Sequence, residues 1–426
     1  MPAYSKNSYF IEGLFLMDAQ SQWTGLDAQR LERITEHMGR NYIGPQKIAG
    51  CQIAVARHGH TAYSRSFGSM DLERNKPMAD DAIFRIYSMT KPITSVALMS
   101  LLEKGYFQLN DPVSRYVPSW KNHRVWVSGK GEEMVTEKPH RLVTFRDVLG
   151  HMAGLTYGGG LPGVGLQHPI DQIYRDLKIR SNGSNDTMME FMDKLSQVPL
   201  RYQPGERWMY SLATDVCGAL VEIISGKPFA QYLQDEIFGP LGMVDTAFFV
   251  APDKVDRFCG NYERGPDKVL KLMDDAVGSA FTQDPGFKSG GGGLTGTTAD
   301  YMRFCEMLRR GGELDGARIL GPRTLEMMHM NHLKDGKDLT QLAIGGFSET
   351  ANEGVGFGLG FASTQGMVET GSHGVGDYYW GGAASTIFLV DPKEDLTMVF
   401  MTQLMPSGTF NFRGQLKSLI YSSIVD

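Results

Sequence analysis

Apolar and polar positions divide the chain into stretches of different period. Leucine, isoleucine and methionine recur at helical spacing over residues 26–40, which predicts an amphipathic helix. The next segment, IAGCQIAVARHGHTAYSRSFG (48–68), alternates on both sides of His58-Gly59 and reads as a β-hairpin. Residues 93–102, ITSVALMSLL, are apolar on nearly every face, so they predict a helix buried in the middle of a domain. Three further stretches, LATDVCGALVEIISG, FAQYLQDEIFG and TADYMRFCEMLRRGG, are helical in pattern and each is stopped by glycine. Strands are expected again only near the end, where ASTIFLV and LTMVFMTQ flank the turn DPKED before a terminal helix in FNFRGQLKSLIYSSIVD.

This order predicts an α/β protein of the α+β type. Residues 1–110 and 345–426 would build an antiparallel sheet flanked by helices, residues 111–344 a mostly helical subdomain, and the active site would lie between them. Two irregular regions interrupt the middle part. Residues 121–142 contain VWVSGKGEEMV, a surface hairpin, and residues 156–186 contain TYGGGLPGVGLQ, too glycine-rich for a regular element and a candidate binding loop.

Composition narrows the function classes. A chain of 426 residues, 42% hydrophobic, can bury a large core. Its 42 Lys+Arg against 48 Asp+Glu give a net charge of -6 without charge blocks, so no nucleic acid and no anionic membrane surface is expected as partner. No run approaches the ~20 apolar residues of a membrane span. Cys51, Cys217, Cys259 and Cys305 lie far apart in apolar or helical contexts and read as reduced, buried thiols. The N-terminus lacks a basic start and a small-residue cleavage pattern, and with those thiols it points to the cytoplasm.

The chemistry begins at FRIYSMTKPITS (84–95). Pro92 lacks an N–H and is tolerated only in a first helical turn, which pins the helix start close to Ser88. Residues three apart share a helix face, so the Lys91 ammonium can reach the Ser88 hydroxyl. A capping serine followed by a solvated lysine accounts for the spacing as well, and chance yields Ser-x-x-Lys about once or twice in a chain of this length. Two other segments give it company. Tyr210, beside Trp208 and Met209 and just before a helix start at Ser211, can relay a proton if it stands next to a cation. In GDYYWGGAAS, the two glycines after Trp380 let another backbone or a ligand approach the lip of a strand. Other signatures are missing: there is no G-x-S-x-G, H-E-x-x-H or Walker A. The two G-x-G-x-x-G matches, at Gly158 and Gly291, follow no convincing strand and read as turn glycines; His58 and His60 read as surface residues. No metal and no cofactor is expected.

Taken in order, SMTK, LNDPVSRYVPSW, VTFRDVLGHMAGLTYG, PGERWMYS, IFGPLGM, the long segment from SGGGG to GARIL, and DPKEDLTMVFMTQ resemble the serine β-lactamase and penicillin-binding fold. The resemblance runs from about residue 48 to 403 and is to the branch of class C β-lactamases and family VIII carboxylesterases. It implies Ser88 as acylated nucleophile, Lys91 as its base, Tyr210 as the second-motif tyrosine, and Trp380-Gly381-Gly382 as the third motif. The oxyanion hole would be the backbone N–H groups of Ser88 and Ala383. Two departures from the lactamase pattern, Leu212 for the asparagine of Tyr-x-Asn and Trp380 for the lysine of Lys-Thr-Gly, resemble the esterase branch and would face the substrate.

The lysine then has a physical reason for its place. Near its ordinary pKa it is charged at pH 7 and cannot accept a proton, whereas burial disfavours the cation. The expectation is a serine carboxylesterase acting on small uncharged esters through an acyl-serine. A β-lactamase, a peptidase or an acyltransferase on the same fold, and a catalytically idle binding protein, are the alternatives, and a homo-oligomer is left open.

Overall fold

The computed structural model describes residues 23–159, 168–180, 184–344 and 353–426. Helix α1 (Ala28–Met38) begins behind Asp27, whose carboxylate accepts the Arg30 N–H, and buries Leu31, Ile34 and Met38. The expected hairpin follows as β1 (Gly50–Arg57) and β2 (His60–Asp71), joined at His58-Gly59. After β3 (Lys76–Pro77) and β4 (Ile83–Arg85) comes α2 (Thr90–Glu103), in which every residue from Thr90 to Leu101 is buried. Helix α3 (Phe145–Leu149) and helix α4 (Ala213–Ser225) follow, and α4 packs along α2. Strand β5 (Thr295–Thr297) pairs with β4 and leads straight into α5 (Thr298–Arg309).

The C-terminal part supplies β6 (Val355–Phe357), β7 (Ala362–Thr364), β8 (Tyr378–Gly381), β9 (Ile387–Asp391), β10 (Leu396–Thr402) and helix α6 (Phe412–Tyr421). They complete an antiparallel sheet of order β6-β7-β8-β9-β10-β1-β2-β3, in which Ile53 of β1 stands opposite Phe400 of β10 and Trp380 of β8 opposite Phe388 of β9. Both faces of its centre are covered. The Phe388 ring lies 5.2 Å from Tyr301 of α5, and Phe400, pointing the other way, lies 4.9 Å from Phe412 of α6. Burial on two sides is why β9 and β10 read as continuous apolar runs rather than as alternation.

The structure corrects some expectations. Strands are not confined to the ends: Asn261–Arg264 and Leu270–Asp274 form a hairpin, and Leu404–Met405 pairs parallel with its first strand. Helix α5, which belongs to the 111–344 stretch, packs on β1, β9 and β10. The expected surface hairpin is present as Val125–Ser128 with Val135–Glu137. The run TYGGGLPGVGLQ lies outside the described residues from 160 onward, and a helix, Pro169–Asp176, follows it. All four cysteines are buried and unpaired. Among the described residues no helix is long and apolar enough to cross a membrane.

Candidate active site

A tight turn, Tyr87–Met89, carries the chain from β4 into α2 and places Ser88 at the helix's N-terminal end. Tyr87 reaches this turn with φ +42°, a strained value for a non-glycine residue. Strain of this kind persists only where neighbours hold it. The Tyr87 hydroxyl accepts from Asn261 Nδ2 (3.2 Å), its ring packs on Phe281, and the preceding Arg85 is fully buried with its Nε donating to Asp274 (2.7 Å). The hairpin that the sequence pattern overlooked is thus a brace for the residue before Ser88.

Among the described residues, two side chains hydrogen-bond to Ser88 Oγ. The Lys91 ammonium donates to it at 3.1 Å, as the three-residue spacing on α2 predicts, and the Tyr210 hydroxyl donates to it at 2.7 Å. All three side chains are buried, Ser88 keeping 8% of its surface and the other two 2% each. Lys91 Nζ also stands 4.5 Å from the centre of the Tyr210 ring and 5.7 Å from that of Tyr157, and aromatic faces favour a cation there. Tyr210 sits two residues further from the helix than expected: α4 starts at Ala213, and Ser211 accepts the Ala213 N–H.

The strand side of the site meets Ser88 through backbone. A Cβ on Gly382 would fall 2.4 Å from the Ile86 carbonyl oxygen and 2.3 Å from Thr386 Oγ1, so only glycine lets β8 run this close to the chain just before Ser88. The next residue, Ala383, is half-buried in a turn closed by the Ser385 N–H donating to the Gly382 carbonyl. The two expected oxyanion donors, Ser88 and Ala383, therefore follow two segments in direct contact. Gly381 lies under the Arg413 guanidinium. Trp380 is buried, its ring 5.5 Å from Tyr210 and 5.3 Å from Phe357, so among the described residues it meets the site by packing behind Tyr210. Leu212 is buried at the foot of α4, where its N–H donates to the Thr156 carbonyl.

Three groups at the site were missed. The Gly291 carbonyl accepts from Lys91 Nζ at 2.6 Å, closer than Ser88 does. Asp215, on α4 and fully buried, accepts from Ser289 Oγ (2.6 Å) and from the Gly291 N–H (3.1 Å). Burial pushes its carboxyl above the ordinary range, while the Ser289 hydroxyl and the Lys91 charge pull it back. His151, also buried, lies 5.0 Å from the Tyr210 ring and contacts Ser211 Oγ and Thr214 Oγ1, each at 3.3 Å. Burial, and then the charge of Lys91, hold its imidazole well below the usual histidine range, so it stays neutral. The glycines of SGGGG carried the signal that could have found the first two: a Cβ on Gly290 would meet the Thr214 carbonyl at 2.8 Å, and one on Gly291 would meet Asp215 Oδ2 at 2.5 Å. The segment is glycine-rich because it is wedged between α2 and α4.

Chemically, the cluster can take a proton from a buried serine hydroxyl and return it to a leaving group. Among the described residues no group of three or more His, Cys, Asp and Glu is placed to hold a metal ion. His58 is exposed and paired with Asp395.

The chain is similar to several known proteins. Protein Rv1367c of Mycobacterium tuberculosis is 33% identical over 363 residues, 84% of this chain and 86% of that one. Esterase EstB of Burkholderia gladioli is 29% identical over 416 residues, covering 92% and 93% of the two chains. Among solved structures, EstCE1, described as a hydrolase with promiscuous acyltransferase activity, superposes with a TM-score of 0.75 at 27% identity over 94% of this chain and 99% of its own. The family model described as Beta-lactamase matches residues 31–420, a span that holds the sheet, α2, α4 and every residue of the site, and the chain belongs to that family.

Proposed function

We propose that this protein is a serine carboxylesterase that hydrolyses small, uncharged esters through an acyl-enzyme on Ser88. The observation that carries the reading is a single buried hydroxyl held by two proton-transferring groups, Lys91 and Tyr210. Ser88 Oγ attacks the ester carbonyl and its proton passes to the Lys91/Tyr210 pair. The tetrahedral oxyanion is received by the N–H groups of Ser88 and Ala383, where backbone donors and the start of α2 favour negative charge. Collapse expels the alkoxide, which leaves as the alcohol with the proton from Tyr210. Water, deprotonated by the same pair, then frees the acid and restores Ser88. An alcohol in place of that water would make the same intermediate an acyltransferase, in keeping with the description of EstCE1.

The preference for uncharged esters rests on Trp380 and Leu212. A charge-assisted hydrogen bond is worth roughly 1.5–3 kcal/mol, so a lysine-to-carboxylate contact that is missing weakens transition-state binding of an anionic β-lactam by about ten- to a hundredfold. An uncharged ester loses nothing by the replacement. Four buried, unpaired cysteines support a reducing compartment, the cytoplasm.

The test is turnover of a short-chain p-nitrophenyl ester and of a chromogenic cephalosporin, measured side by side with wild type and Ser88→Ala. The reading expects kcat/KM for the ester well above that for the cephalosporin, and both activities lost in the variant. Lactam turnover that rivals the best ester, or ester turnover that survives in Ser88→Ala, contradicts it.

A further inference from the structure

Asp215 is an expensive residue for a core. It is 0% exposed on α4, and one carboxylate oxygen, Oδ1, accepts both hydrogen bonds, from Ser289 Oγ at 2.6 Å and the Gly291 N–H at 3.1 Å. The other oxygen, Oδ2, has no hydrogen-bond partner among the described residues and faces the Cα of Gly291, where a Cβ would approach to 2.5 Å. An incompletely paired buried carboxylate destabilises a fold, and an apolar side chain would fill the same space without that penalty. Such a group persists where another role needs its charge.

The neighbours point to that role. Gly291 touches the carboxylate through its N–H and the Lys91 ammonium through its carbonyl (2.6 Å), so one residue spans the two charges. The same loop is tied to α2 independently, since Thr94 Oγ1 donates to the Gly290 carbonyl at 2.8 Å. Among the described residues, the titratable groups acting on the Asp215 carboxylate include Lys91 from α2 and Cys217 from its own helix. Around Lys91 stand, among the described residues, Tyr157, Tyr210 and His151, the last kept neutral by burial.

We infer that Asp215 is a positioning residue for the proposed esterase reaction: its carboxylate pins the 289–291 loop, and its negative charge, felt at Lys91, sets the pH at which that lysine gives up its proton. The inference rests on the reading of Ser88 as nucleophile and Lys91 as part of its base. It goes beyond that reading in assigning the control of the base to a residue that touches neither Ser88 nor substrate. The sign follows from electrostatics. A nearby anion favours the ammonium, so removing it lets Lys91 release its proton at lower pH and leaves it a weaker base.

The experiment is the pH dependence of kcat and kcat/KM for p-nitrophenyl butyrate between pH 5 and 9, on wild type, Asp215→Asn and Ser289→Ala. Thermal melts of each variant check the fold, and phosphonate labelling of Ser88 is run on wild type. Asp215→Asn keeps the shape and the acceptor oxygen but not the charge. Its ascending limb should move to lower pH by about one unit, with kcat down severalfold at its own optimum and KM changed less than about threefold. Ser289→Ala removes a hydrogen bond that favours the carboxylate and weakens the anion without deleting it, so its limb should move in the same direction as that of Asp215→Asn but by less, while the rate falls. A purely structural Asp215 would lower rate and melting temperature in both variants with neither limb displaced, and that overturns the inference. Should Asp215→Asn not fold, carbon-13 NMR of the wild-type Asp215 carboxyl decides: the inference requires it ionised throughout the pH range in which the rate rises, and a protonated carboxyl there overturns it. Failure to label Ser88 sinks the reading of the site; labelling with an unmoved limb sinks this inference alone.

Discussion

On the helical side, on α2 and just before α4, the site is made of side chains, with Lys91 and Tyr210 both within 3.1 Å of Ser88 Oγ. Along β8 it is made of backbone, because Gly382 lets the strand slide against the Ile86 carbonyl and leaves Ala383 at the turn beside it. The two sides therefore tolerate different substitutions. Reactivity on the helical side depends on chemical identity, so isosteric changes that remove one polar atom should be ruinous. On the strand side it depends on the path of the chain, so the smallest added volume should matter and side-chain polarity should not.

The largest expected effect is on the helical side. Lys91→Ala and Tyr210→Phe should each lose at least about a hundredfold in kcat, with the double variant little worse than the poorer single, because members of one proton path do not contribute additively. Additive losses in that cycle would mean that the two act on separate steps. On the strand side, Gly382→Ala places a methyl 2.4 Å from the Ile86 oxygen. It should cost roughly 1–3 kcal/mol of stability, read from the denaturant midpoint, and about tenfold in kcat, with KM little changed. A variant as active and stable as wild type would show that β8 does not constrain the oxyanion hole. The effect with no consequence for catalysis at neutral pH comes last and concerns stability against acid. Burial pushes the His123 imidazole down to about 4, against an unfolded value near 6.5. Below pH 6.5 the unfolded chain binds a proton that folded His123 refuses, so stability falls as pH drops from 6.5 to 4, by about 3 kcal/mol from this residue. His123→Gln should flatten that part of the stability curve; an unchanged slope would place the acid sensitivity elsewhere, His151 being the next candidate.

What the sequence revealed divides along the same line. Ser88, Lys91 and Tyr210 were legible because each carries its chemistry in a side chain and two of them share a helical spacing. Strands β9 and β10 were legible on either side of the turn DPKED, while the burial of both their faces emerges from the structure. The Gly291 carbonyl was not, since every residue has a carbonyl and only the packing of Asp215 against Gly291 singles this one out. Asp215 gives no signal of its own in LATDVCGALVEIISG, where it is one polar residue in an apolar helix. The hairpin Asn261–Arg264 and Leu270–Asp274 escaped because its partner strand, Leu404–Met405, lies far along the chain and its second strand is largely exposed, leaving no alternation to detect. Its role, bracing Tyr87 through Asn261, is visible only in three dimensions.

The central claim is that one buried serine, activated by two neighbours, forms the covalent intermediate. The most direct measurement is intact-mass analysis and peptide mapping after exposure to a p-nitrophenyl phosphonate, which reacts as an ester does but cannot be released by water. A single added phosphonyl mass is expected on Ser88, its formation slowed strongly in Lys91→Ala and Tyr210→Phe and abolished in Ser88→Ala. A stable adduct on any other residue, or undiminished esterase activity in protein fully modified at Ser88, would contradict it.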